Sequence, residues 1–517
     1  MVAELIAAGG VRNLAGMGDA LAETPGAVTS LIELIGAEAR KKRPNNDLAN
    51  AFGFMLSQAL DVLRFGIERG YSNSIEVVAE ARTRVAALAN AGEIDPGTTM
   101  LILRIFAGAK LDPGEELQAL MGAAMERAPS PVSAGKTDTD RMLAGMVKDC
   151  GGDIFAFHAL LAEQAAAFPE KGRAGIAAAL LEASEPTLRG AALGWLLQPA
   201  ATTRRDTAAL LLQAATAGQL DSVSLRRLIA MRNWLPEDER PAVDSVIRTL
   251  RRKGVEPAPV TPPELRSVLI SASDGSGAQS VFVMIKDGRK QTMAALLLKR
   301  GIGVRDAWVR TGFSKAEADG LRRRMASEAA CFDGTMDYAK ASLAQALAEN
   351  RDSGILPPFG LVDVIERIGL GTVNPEHIPV EDLVARLLAD LPAECVNAKS
   401  VADALAASAL WQEAVPFADS WFEDDAGVAA LLDGKRLSAK RRAALILEQF
   451  LPGRRRRWAD MLAWTAFALQ QDEAAGDAWI DFALVARELL SDRALAKIPL
   501  MSSIAAMTVE AWQYRQS

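Results

Sequence analysis

The sequence predicts a mainly α-helical protein, an irregular helical repeat of the HEAT-like superhelical kind with a small antiparallel β meander in the middle. Three observations lead there. Half of the 517 residues are apolar but only 5% are aromatic. Much of that apolar content is alanine and leucine, the strongest helix formers, whereas long strands draw on valine, isoleucine and aromatics. Apolar residues recur at three- and four-residue spacing along most of the chain, and the period changes only once, after a proline-rich stretch.

The first region, residues 1–127, reads as successive amphipathic helices. Leu48, Phe52, Met55, Leu56, Leu60 and Leu63 form one apolar stripe between Asn46 and Arg69. Asp95-Pro96 and Asp112-Pro113 each place a capping residue before a proline suited to the first helical position. The segment Ala128 to Thr137 reads as a linker by composition. A second helical array follows over residues 138–253, with short breaks that favour antiparallel neighbours. Gly254-Val-Glu-Pro-Ala-Pro-Val-Thr-Pro-Pro263 is the strongest candidate for a domain boundary.

Residues 264–311 form the β element. Arg266–Ala272 and Gln279–Lys286 are short and β-branched, and Asp274-Gly275 and Asp287-Gly288 are hairpin signals. Gln291–Lys299 and Val304–Arg310 supply a third and a fourth strand. The third, with Ala294, Ala295 and three leucines, also fits a helix. Helices resume over residues 314–517, opening on a capping box at Ser314-Lys-Ala-Glu317. Helix pairs recur at roughly 30–45 residues, the range of helical repeats. One local echo is visible: Leu235-Pro236, Arg240 and Asp244 match Leu451-Pro452, Arg456 and Asp460 in spacing.

The usual catalytic chemistries find little support. The chain has two histidines, His158 and His377. His158, beside Phe157 on an apolar helix, reads as structural, and His377 as a cap or surface residue. Cys150, Cys331 and Cys395 form no CxxC pair, so neither a disulfide framework nor a zinc site follows. Cys150 precedes Gly151-Gly152 at a helix end beside Asp149, which disfavours a reactive thiolate. Ser130 to Thr137 lacks the first glycine and the preceding strand of a phosphate-binding loop. Glu423-Asp424-Asp425 reads as a solvated helix start. No cofactor, metal or small-molecule substrate is implied.

Charge stands above background near the C-terminal end. Between Glu381 and Asp433 acidic residues dominate. Then come Lys435, Arg436, Lys440, Arg441, Arg442 and the run Arg454, Arg455, Arg456, Arg457, closed by Trp458. Arginine is a planar fork suited to phosphates and carboxylates and stacks on aromatics. These side chains either pair with the neighbouring acids or bind a partner. Arg454 to Arg457 with Trp458, Arg441 and Arg442 are therefore the partner-binding candidates. The clusters Arg40-Lys-Lys-Arg43, Arg251-Arg-Lys253 and Arg322-Arg-Arg324 read as helix ends or exposed turns.

The net charge of −7 argues against a globally basic nucleic-acid binder. No apolar run approaches the roughly 20 residues of a membrane span, and no basic leader opens the chain. The expectation is a cytoplasmic, bacterial, non-enzymatic helical-repeat scaffold or adaptor that binds another macromolecule, with protein as the favoured partner. Two alternatives stand beside it: a nucleic-acid-associated protein using Arg454–Arg457, and a hydrolase or transferase with a carboxylate-based site.

Overall fold

The computed structural model describes residues 16–127, 136–328, 330–389 and 391–516. They form two compact units. Unit 1 runs to Trp195 and includes Ala200–Leu210; unit 2 holds Leu196–Pro199 and everything from Leu211 on.

Unit 1 is helical. Its elements are α1 (Met17–Glu23), α2 (Ala27–Ala39), α3 (Asn46–Glu68), α4 (Ser72–Asn90), α5 (Pro96–Gly108), α6 (Glu115–Arg127), α7 (Lys136–Asp149), α8 (Ile154–Ala165), α9 (Glu170–Glu182) and α10 (Pro186–Ala192). Helix α11 (Ala201–Ala217) begins in unit 1 and ends in unit 2. The apolar stripe of α3 turns Leu56, Leu60 and Leu63 into the core, each at most 2% exposed. Full burial of such a side chain contributes about 1.5–3 kcal/mol. Asn45 caps α3 by accepting from Leu48 N at 3.1 Å. Asp95 caps α5 by accepting from Thr98 N at 2.7 Å, with Pro96 in the first turn as expected. Asp112 behaves differently: its carboxylate accepts from Gly114 N at 2.8 Å, and α6 starts at Glu115, beyond Pro113. The linker expected from Ala128 lies outside the described residues as far as 135, and Lys136 already opens α7.

Unit 2 continues with α12 (Ser222–Met231) and α13 (Arg240–Arg252), and then the sheet. Its strands are β1 (Glu264–Ser271), β2 (Ala278–Asp287), β3 (Lys290–Lys299) and β4 (Gly303–Phe313). They pair antiparallel in sequence order, so the meander is present and Gln291–Lys299 is a strand rather than a helix. Cross-strand packing decides this: Ala294 and Leu296 lie opposite Val283 and Val281 and join the core with them. After α14 (Lys315–Glu328) a fifth strand, β5 (Cys331–Asp333), pairs antiparallel with the end of β1, giving the order β4-β3-β2-β1-β5. Three residues are too few to leave a periodic signal in the sequence. The Ser314 capping box forms in both directions, with Ser314 N donating to Glu317 at 2.7 Å and Glu317 N to Ser314 Oγ at 3.3 Å. Arg322-Arg-Arg324 falls in the middle of α14, not at a helix end or turn.

The remaining helices are α15 (Met336–Ser353), α16 (Gly360–Ile368), α17 (Val380–Ala389), α18 (Ala398–Ala407), α19 (Ala426–Leu432), α20 (Ala439–Leu445), α21 (Arg455–Gln470), α22 (Ala478–Leu490) and α23 (Pro499–Gln516). One face of the sheet rests on α15 and α16; α14 covers part of the other through Met284, Met293 and Ala318. Among the described residues no helix is long and apolar enough to cross a membrane.

The proline-rich stretch lies wholly inside unit 2, so the two compact units part near residue 195 rather than at Gly254–Pro263. The stretch is strapped to α12. Ala258 N donates to Ser222 O at 2.9 Å, and Arg226 donates to the carbonyls of Ala258 and Pro259 at 3.3 and 3.1 Å. Arg226 and Arg227 both bind Glu366 of α16, at 2.7 and 2.9 Å, which ties α12 to the helices behind the sheet.

Candidate functional site

The arginine run stands at the N-terminus of α21. Leu451-Pro-Gly-Arg454 forms a tight 3₁₀ turn that leads into the helix, so the four side chains fan outward over its first turn. Each finds acceptors within unit 2, and Arg454 and Arg457 share Glu423. Arg454 donates to Asp425 at 2.6 Å, stands 3.8 Å from Glu423 and lies over the Phe450 ring. Arg455 binds the carbonyls of Glu488 and Arg493 at 3.2 and 2.7 Å, together with those of Leu489 and Ser491. It thereby caps the C-terminus of α22, where a cation is favoured. Arg456 forms a two-pronged pair with Glu381. Arg457 donates to Glu423 at 3.1 Å and to the Gly275 carbonyl.

Trp458 is fully buried, and its indole N–H donates to Glu423 Oε1 at 2.7 Å. Glu423 is therefore the hub of this end of the helix, 4% exposed and facing two arginines and an indole. The acidic triplet was expected to be a solvated helix start. That reading fits Asp425, which caps α19 through Gly427 N at 2.7 Å. It fails for Glu423, which turns inward because its neighbours compensate its charge. Arg441 lies 3.9 Å from Glu448, both half-exposed. Arg442 lies over the Trp512 ring, 4.8 Å from its centroid, and donates to Lys435 O at 3.3 Å.

The same helix end receives the β1–β2 turn. Gly275 N donates to Ser420 Oγ at 3.2 Å, and the buried Trp421 indole donates to Ser273 O at 3.0 Å. Trp421 in turn sits among Trp411, Phe417, Trp458 and Phe482, with ring centroids 5.7–6.5 Å away. A Cβ on Gly275 would overlap the Ser420 carbonyl oxygen. We expect Gly275→Ala to cost about 1–3 kcal/mol, as overpacking does. The test is chemical denaturation followed by tryptophan fluorescence; an unchanged midpoint would show that the turn is not clamped.

Deeper in unit 2 lies a charge cluster that the sequence did not reveal. Arg300, just after β3, is 9% exposed at its side chain. Its guanidinium stacks on Trp464 at 4.1 Å from the ring centroid. Glu349 and Asp460 face it at 3.7 and 4.0 Å, and its Nη2 has no hydrogen-bond partner within the protein. Burial raises the carboxyls of both Glu349 and Asp460 above the usual carboxylate range; Arg300 opposes this in each case. Asp460 keeps 24% of its side-chain surface exposed, yet its carboxyl is enclosed enough for burial to outweigh the nearby cations. Gln345 donates to Glu349 at 2.9 Å and accepts from Ile378 N at 2.8 Å. Tyr338, fully buried, donates to Gln279 at 2.9 Å, and burial pushes its hydroxyl up to about 12. Asp460 was legible only as part of the Leu-Pro echo. The echo does not repeat in contacts: Asp244 holds Arg232 at 2.8 Å, and Arg240 binds the nearby Leu235 carbonyl at 3.0 Å and Glu237 at 3.7 Å, whereas Arg456 reaches the distant Glu381.

Both histidines are hydrogen-bonded within the fold. In unit 1, His158 is buried against Ala191 O at 3.1 Å and edge-on to Trp195, and burial lowers it to about 4, so it stays neutral. His377 lies 2.6 Å from Asp352 at the surface. Burial and the neighbouring Asp153 and Asp149 hold the Cys150 thiol above its usual value. Burial lifts Cys331 to about 11.

With this geometry the chain defines a class: a mostly helical protein whose C-terminal helices grip one turn of a small antiparallel sheet. Two family models match it, the Y4lR C-terminal helical domain over residues 381–513 and the Y4lR second domain over residues 169–254. The first of these holds the whole arginine-tipped helix and its acidic partners Glu381, Glu423 and Asp425. Along most of its length the chain is similar to a protein of Sinorhizobium fredii (strain NBRC 101917 / NGR234) described as uncharacterized protein y4lR. The two are 29% identical over 479 residues, covering 90% of this chain and 88% of that protein. No solved structure matches the chain.

Proposed function

We propose that the protein is a non-enzymatic helical-repeat scaffold, acting in the cytoplasm, that binds another protein. One observation carries the reading. In unit 1 the principal helix contacts join helices close in sequence: α1 and α2 with α3, α2 with α4 and α5, α4 with α5 and α6, α5 with α8, and α8 and α9 with α10. Such near-neighbour stacking is what a HEAT-like array produces, and arrays of this kind use their extended faces for binding. The step from fold to binding is an analogy of architecture. Leu34, Phe65, Ile75 and Leu101 offer exposed apolar side chains on four successive helices, α2 to α5.

The test is purification of the tagged protein from its native cell with nuclease treatment. The expected result is a stoichiometric protein partner that survives the nuclease and is lost from a folded Leu34→Asp/Leu101→Asp variant. Recovery of the chain alone would overturn the reading. A partner lost on nuclease treatment would favour the nucleic-acid alternative, for which Arg456, 66% exposed, is the most accessible of the four arginines. That alternative requires oligonucleotide binding that weakens steeply with salt.

A second reading, a hydrolase or transferase built on carboxylates, draws on the convergence of Glu349 and Asp460 at Arg300. Shifted carboxyls of this kind also occur in purely structural clusters. A working pair must meet substrate, so carbodiimide labelling in the native state decides it. Absence of label on both residues, with surface carboxylates labelled, rejects the enzyme.

A further inference from the structure

We propose that the outer edge of β1, from Glu264 to Val268, is a docking edge where an extended acidic peptide of a partner protein adds a strand to the sheet. The first ground is an incomplete ladder. β2 pairs with β1 from Glu264 through Ile270, but β5 reaches only Leu269, Ile270 and Ser271 on the other side. The Gly334 N–H closes that pairing on Val268 O at 2.9 Å. Beyond it Glu264, Leu265 and Arg266 are exposed, Leu265 at 45%. An unpaired strand edge is a template for another chain. The stretch before Val268, Glu264 to Ser267, is roughly 13 Å long at ~3.3 Å per residue.

The second ground is the space beside it. A groove of about 530 Å³ lies between α14 and the sheet, opening beside this edge and reaching Met284 of β2 and Gln291 of β3, within the range of pockets that hold ligands. Val268 and Met284 supply apolar floor, and the register irregularity at Arg266 lets Arg266 and Ser267 both line the groove.

The third ground is charge. Arg266, Lys315 and Arg322 line the groove against Asp319 and Asp333. Arg322 is held by Asp333 at 2.7 Å, and Arg266 by Glu264 at 2.8 Å, which also binds Lys286. Lys315 is the lining cation at the start of α14. An acidic strand satisfies the edge amides and this cationic wall together. A second copy of the chain is a poorer occupant, because antiparallel pairing of two β1 edges brings Arg266 toward Arg266, and like charges opposed across strands are destabilising.

The proposal deepens the binding reading by giving unit 2 a partner class. Its assay involves unit 2 alone, so its failure leaves the purification experiment on unit 1 standing, and the reverse holds too. The probe is a fluorescein-labelled peptide of about eight residues alternating glutamate and valine, a typical strand length, titrated by anisotropy into the full chain. Saturable binding is expected, weaker by at least about tenfold for the lysine–valine peptide and for Lys315→Glu. The glutamate peptide N-methylated at alternate residues should lose binding to a similar degree, because its strand hydrogen bonds are gone. Circular dichroism confirms that the variant is folded. Equal binding of the methylated and unmethylated peptides would reduce the effect to charge and overturn strand addition. Absence of saturable binding, or tighter binding of a single-stranded oligonucleotide than of the peptide, would overturn the proposal as well.

Discussion

Glu423→Ala is expected to destabilise unit 2 by about 3–5 kcal/mol, the usual cost of removing one partner from a buried ionic cluster. The wild-type carboxylate is 6% exposed and accepts from Arg457 at 3.1 Å and from the Trp458 indole at 2.7 Å. Its loss leaves a fully buried indole N–H without an acceptor, about 1–3 kcal/mol by itself. It also leaves the Arg457 cation, 28% exposed, with no carboxylate partner and only the Gly275 carbonyl and the Trp458 ring beside it. Two neighbouring substitutions calibrate the effect. Arg456→Ala breaks the surface pair with Glu381, 66% and 50% exposed, and should cost about 0–1 kcal/mol. Asp425→Ala removes a helix cap and should cost about 0.5–2 kcal/mol. Denaturant midpoints at constant slope measure all three. If Glu423→Ala costs no more than Arg456→Ala, Glu423 is not the hub.

The second large effect concerns Arg300. Arg300→Met should also cost about 3–5 kcal/mol near neutral pH, because Glu349 and Asp460 lose the cation that most lowers their carboxyls. The sign of the pH dependence follows. Both carboxyls lie above their ordinary values in the folded protein, so the native state binds protons that the unfolded chain releases. Their contribution to stability is present at low pH and is lost as pH rises through the folded values. Removing Arg300 raises both carboxyls further and moves the loss to higher pH. The Arg300→Met defect should therefore shrink as the solution is acidified from neutrality and the two groups take up protons. In the triple variant Arg300→Met/Glu349→Gln/Asp460→Asn the cluster carries no charge, so most of the stability should return and its pH dependence flatten. These residues share one network, so their effects will not add. A defect that is independent of pH would show that Arg300 acts by packing on Trp464 alone.

Much of the secondary structure was readable because it depends on local chemistry. The α3 stripe, the cap at Asp95 and the Ser314 box each lie within one or two helical turns, where spacing and side-chain type settle the outcome. The first two strands were legible from β-branched runs set off by two Asp-Gly turns. β3 was ambiguous because alanine and leucine suit a helix, and its cross-strand neighbours decided otherwise. β5 was invisible for want of length. The arginine run announced itself by charge, but the direction of each fork did not. Arg455 spends its donors on the end of α22, some 35 residues away in sequence, a contact with no sequence period.

What the sequence determined by itself was therefore the helical character, the β insertion, the caps at Asp95 and Ser314 and the place where charge accumulates. These follow from propensity, periodicity and composition, which act over a few residues. Tertiary structure alone decided that Glu423 turns inward, that Gly275 must be a glycine, that β5 leaves half of β1 uncovered, and that Arg300 meets Glu349 and Asp460. Each of these joins groups from separate elements. The cost of burying a charge, or of leaving a strand edge open, is set by what the folded chain brings beside it.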